Sequence, residues 1–140
     1  MKYHILYIAL ALLSVSLISC RQNEGHIGPI FGKWQLKEIQ SENSVEVFDS
    51  IFYNFQWEYT ALERIYPEHV TTRLLGFFRH NDDELILHIP HLQQASLWQM
   101  SVFQMPDTLV AFKVQELTNK SMILQLDDET IYRFRKFGFY

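Results

Sequence analysis

The chain has 140 residues, 48% of them hydrophobic and 15% aromatic, with a formal net charge of −4. That is apolar enough to build a core and excludes a disordered chain, while the length allows one domain. Loss of a leader that contains Lys2 takes the charge to −5. No basic cluster remains to follow a phosphate backbone, which excludes nucleic acid as a partner.

Residues 1–19 read as a signal peptide. Lys2 is a positive start, and Ile5 to Ile18 is an apolar run broken only by Ser14 and Ser16. The run falls short of the roughly 20 apolar residues that a membrane span needs. It ends Leu17-Ile18-Ser19-Cys20, which resembles the bacterial lipoprotein box. The resemblance implies that Cys20 is acylated and becomes the first residue of the mature chain, anchored in a membrane. Cys20 is the single cysteine, so no disulfide can form. Residues 20–31 then form a lipidated cysteine and a polar tether with Gly25, Gly28 and Pro29. Arg21 follows the cysteine where some inner-membrane lipoproteins have aspartate, which points to the outer membrane.

Residues 32–140 hold the folded domain. A first strand runs from about Gly32 to Gln40, with Trp34 and Leu36 on one face and Lys33, Gln35 and Lys37 on the other. Ser41 to Ser44 is a turn, and Val45 to Phe48 is a short second strand or its approach. Ile51 to Tyr59 alternates with period two, placing Ile51, Tyr53, Phe55, Trp57 and Tyr59 together on one face. Thr60 to Tyr66 is ambiguous, since Leu62, Ile65 and Tyr66 fit one helical turn that stops before Pro67. Val70 to Phe78 is extended, Asn81-Asp82-Asp83 turns, and Glu84 to Pro90 returns with Leu85, Leu87 and Ile89 inward.

His91 to Ser96 is loop-like, and Leu97 to Met105 has little pattern. Three short strands close the chain: Leu109 to Leu117, the stretch around Met122 and Leu124, and that around Tyr132 and Phe134. Asn119-Lys120 and Asp127-Asp128 separate them. Seven or eight strands at hairpin spacing, with no long helix, predict an all-β fold: a small antiparallel barrel or, alternatively, a β-sandwich.

Gly32-x-Trp34 on the first strand, with Arg133 and Arg135 on the last, resembles the lipocalin pattern. The layout resembles the small lipocalin-like lipoproteins of the Bacteroides group in particular. The resemblance implies that Trp34 packs across the closed end of the barrel and that an arginine, Arg133 or Arg135, covers its ring. A guanidinium stacks well on an indole face. The Thr-Asp-Tyr-type second motif is missing, and a domain of roughly 110 residues implies shorter strands or loops and a shallow cup.

No Gly-x-Ser-x-Gly, His-Glu-x-x-His or Gly-rich phosphate loop occurs, so no catalytic residue and no cofactor is expected. His88 and His91 flank Pro90 on extended chain and read as solvent-facing rather than as metal ligands. Asp82-Asp83-Glu84 and Asp127-Asp128-Glu129 lack the ligand spacing of a calcium loop. The candidate ligand-binding face is Tyr53, Phe55, Trp57 and Tyr59. It would line a cavity for a small hydrophobic molecule or fill the barrel as core. Two functions follow: an envelope binder of a hydrophobic ligand, or a filled barrel that meets an envelope protein partner.

Overall fold

The computed structural model describes residues 28–90 and 97–138. The signal peptide, Cys20, the tether as far as Ile27 and the loop 91–96 lie outside the described residues.

Among the described residues nine strands run antiparallel: β1 (Gly32–Gln40), β2 (Val45–Val47), β3 (Ile51–Gln56), β4 (Tyr59–Ile65), β5 (Thr71–Asn81), β6 (Glu84–His88), β7 (Leu109–Leu117), β8 (Ser121–Gln125) and β9 (Ile131–Phe137). From β3 onward each strand pairs with the next, and β1 pairs with both β3 and β9, closing an eight-stranded barrel. β2 is the extra strand. It continues the edge that β3 begins, facing Glu38 to Gln40 while β3 faces Gly32 to Gln35. Barrel closure leaves the three-residue β2 as the one edge strand among the described residues, which suits a chain of many short strands.

Side-chain parity explains which residues face inward. Trp34 and Leu36 are fully buried on β1, and a bulge between Leu36 and Glu38 then shifts the register so that Ile39, not Glu38, turns in. The freed Lys37 carbonyl accepts from Phe48 N–H at the break between β2 and β3. Leu85, Leu87, Val110, Phe112, Met122, Leu124, Tyr132 and Phe134 follow the alternation that the sequence predicts and join one core.

The stretch Thr60–Tyr66 is β4 through Ile65, with Thr60 and Leu62 inward, and not a helical turn. Pairing with β3 and β5 on both sides outweighs local propensity. A short helix, α1 (Leu97–Val102), interrupts the connection from β6 to β7. Met100 on it and Phe103 and Met105 just after it drop into the barrel core. The barrel is therefore filled from within by its own connection.

Candidate functional site

Three places hold the residues that the sequence singles out: the closed end, the interior and the mouth. At the closed end Gly32 has a φ of 110°, a conformation open to glycine. It brings the segment 28–31 under the barrel, where Ile30 is buried and its carbonyl accepts from the Trp34 indole at 2.7 Å.

The cation over Trp34 is not Arg133 or Arg135. Lys136 Nζ stands 4.4 Å from the Trp34 ring centre. The same ammonium donates to the Pro29 carbonyl at 2.6 Å and to the Phe31 carbonyl. Burial lowers the Lys136 pKa. Arg133 instead points outward and pairs with Glu38 at 2.9 Å, and Arg135 is exposed. Parity is the physical reason: Tyr132, Phe134 and Lys136 share the inner face of β9, while Arg133 and Arg135 alternate to the outer one.

Of the four candidate aromatic residues, the structure brings two together inside. Tyr53 and Phe55 are buried, and the Tyr53 ring lies 5.0 Å from that of Phe134. Trp57 and Tyr59 are not on that face. β3 ends at Gln56, a two-residue turn of Trp57 and Glu58 follows, and Tyr59 opens β4 opposite Gln56. Trp57 is 40% exposed and Tyr59 59% exposed, so neither lines the interior. The alternation that links all four in sequence is cut by the chain reversal.

At the mouth the connection through α1 is held by side chains of the wall. Tyr53 Oη donates to the Phe103 carbonyl at 2.9 Å, Tyr132 Oη to the Gln104 carbonyl at 3.0 Å, and Arg64 to the Val102 carbonyl at 3.1 Å. Burial and then the neighbouring Tyr132 push the Tyr53 pKa well up. Burial, with Asp127 and Glu46 nearby, pushes Tyr132 up to about 12. Between the plug and the wall remains a recess of about 150 Å³, lined by Tyr66, Thr72, Leu74, Val102 and Phe103 among others. Sequence reasoning missed Met100, Phe103 and Met105 as plug residues.

The lipocalin-like domain family profile matches residues 12–137. The chain belongs to the lipocalin-like domain family. A lipocalin-like protein from Bacteroides uniformis superposes with a TM-score of 0.67 at 27% identity, covering 79% of this chain and 100% of that one. An uncharacterized protein from Bacteroides eggerthii gives 0.68 at 29% identity, over 77% and 99% of the two chains. No curated protein matches. Members of the family are generally binding proteins and not enzymes.

Elsewhere on this lipocalin-like domain, both acidic turns line one outer groove together with Lys113. Among the described residues no group of three or more His, Cys, Asp or Glu side chains could hold a metal, and no helix is long and apolar enough to cross a membrane. On the outer wall Glu63 is buried between Lys33 and Arg73, each at 2.5 Å. Burial raises its pKa, but the hydrogen bond and charge of Lys33, then those of Arg73, outweigh it and hold the carboxyl below its usual range. Arg73 and Lys33 thus lock three outer strands.

Proposed function

We propose that this chain is a non-catalytic binding lipoprotein of a Gram-negative cell envelope, tethered to the outer membrane through acylated Cys20. Its barrel admits one small hydrophobic ligand at the mouth. The observation that carries the binding role is the plug. Met100, Phe103 and Met105 occupy the place where a lipocalin-like barrel of this width holds side chains or one ligand. Hydrogen bonds from the wall to the carbonyls of Val102, Phe103 and Gln104, with apolar contact, hold this segment in place. Methionine repacks at low cost, and the recess of about 150 Å³ beside Phe103 gives a ligand its first foothold. A ligand of ordinary size needs at least 300 Å³ or so, so entry requires Phe103 to move.

A second reading is favoured by the fully buried Tyr53, Phe55, Phe103 and Phe112. A barrel already packed with rings serves as an interaction module for an envelope protein. Native mass spectrometry of the mature chain, purified from its own host's envelope, separates the two. A reproducible extra mass released by organic solvent is the expected result. An apo mass that stays unchanged after incubation with envelope lipid extract overturns ligand binding and leaves the filled module.

A further inference from the structure

Four outward residues lie side by side across four neighbouring strands: Tyr59 faces Phe77, Phe77 faces His88, and His88 faces Leu109. None is a carboxylate, lysine or arginine. Phe77 is 44% exposed, Leu109 60% exposed, and Leu75, two residues along β5, 67% exposed. The Tyr59 and Phe77 rings touch at 5.4 Å. An apolar strip of this kind, bordered by Arg79 on β5, marks a contact surface on a small barrel.

Trp57 extends that face toward the closed end. It holds a φ of 59° at the first position of a two-residue hairpin turn, a place that glycine suits best. Tryptophan there carries backbone strain and still leaves its indole exposed, a combination that packing does not explain.

The start of the described chain lies against the same face. Gly28 and Pro29 line one cleft with Trp57 and Phe77. Only eight Cα steps separate Cys20 from Gly28, which reach about 28 Å at full extension. An acyl anchor at Cys20 therefore keeps this face within reach of the membrane surface.

We infer that the outer wall around Trp57, Tyr59, Leu75 and Phe77 docks on the bilayer to which the chain is anchored, with the rings seated at the headgroup level. Tryptophan and tyrosine favour that level because their bodies are apolar and their tips polar. The tether makes docking intramolecular, so a modest patch suffices. With a net charge of −5 after leader loss, contact runs through rings and not through attraction to anionic lipid. The inference rests on the anchor reading above, and it adds which side of the barrel meets lipid.

The test uses the mature acylated chain reconstituted in phosphatidylethanolamine–phosphatidylglycerol vesicles with brominated acyl chains. Trp57 emission, taken as the difference from a Trp57→Gly chain, is expected to shift blue and to be quenched by bromine, without loss at high salt. Leu75→Ser and Phe77→Ser, both at exposed positions, are expected to abolish the quenching. Unquenched Trp57 in a chain whose intact mass confirms the acyl groups overturns docking and leaves the anchor standing. If the intact mass shows no acylation, the anchor reading fails on its own. The Cys20→Ala chain mixed with the same vesicles then decides docking, which quenching supports and its absence refutes. A doubled native mass, with Trp57 shielded from bromine, assigns the face to a second copy and overturns the proposal.

Discussion

Lys136 on the last strand sits 4.4 Å above the ring of Trp34 on the first. Two elements a hundred residues apart are thus joined at the closed end by one ammonium, one indole and the carbonyls of the entering segment. Charge-assisted hydrogen bonds are the strong kind, and removing the donor takes a charged partner from both carbonyls. Lys136→Met is expected to cost about 2 kcal/mol by urea unfolding. Lys136→Arg, which restores a cation over Trp34, should recover part of that loss. An unchanged midpoint in the methionine variant would show the contact to be incidental.

Gly76 faces the interior of β5, where an added Cβ would come within 2.4 Å of the His88 carbonyl oxygen and of Ile89 Cδ1. The carbonyl belongs to the partner strand and cannot step aside without breaking the β5–β6 pairing. Gly76→Ala should therefore destabilise by about 1–3 kcal/mol. Gly138→Ala, with nothing within 4 Å of its added carbon, should not. Thermal melts of the two variants side by side give the comparison.

Much of the fold is legible in the amino-acid sequence. β1 has the bounds that its alternation predicts, and the strands from Glu84 to Phe134 carry their inward residues as the period of two demands, because turn residues separate them cleanly. The turn at Trp57-Glu58 was not readable, for it contains no glycine, proline, asparagine or aspartate. The aromatic alternation runs straight through it and predicts a shared face for Trp57 and Tyr59 that the chain reversal removes. Lys136 had a legible signal, since it shares parity with Tyr132 and Phe134. The family pattern of an arginine points to Arg133 and Arg135 instead. Nothing in the weak pattern of Leu97 to Met105 foretells that three of its side chains complete a distant core.

The plug can be loosened without emptying the core. Tyr53→Phe keeps the ring but removes the hydroxyl that donates to the Phe103 carbonyl. The expected loss is about 1 kcal/mol. Hydrogen exchange should speed up at Phe103 and Met105, whose amides bond to the Met100 carbonyl, more than in the β1–β9 pairing. Equal acceleration everywhere would mean that the plug opens only with global unfolding, which counts against ligand entry beneath it.

Alkaline pH should undo the same latch. Burial, with Asp127 and Glu46, raises Tyr132 to about 12, so the unfolded chain releases this proton near pH 10 while the folded one keeps it. The folded form then binds more protons than the unfolded between pH 10 and 12, and stability falls across that window. It is fully present below pH 10. Tyr53, also raised by burial and by the neighbouring Tyr132, acts with the same sign. Lys136 acts oppositely: its lowered pKa makes the folded form release a proton first, which favours folding as pH rises toward 10.5. The net expectation is a plateau or slight gain below pH 10, then a decline of about 2 kcal/mol from Tyr132 alone by pH 12. Urea midpoints across this range, beside tyrosinate absorbance at 295 nm, should trace it. Tyr132→Phe should flatten the decline, and an equally steep curve in that variant would place the alkaline weakness elsewhere than at Tyr132.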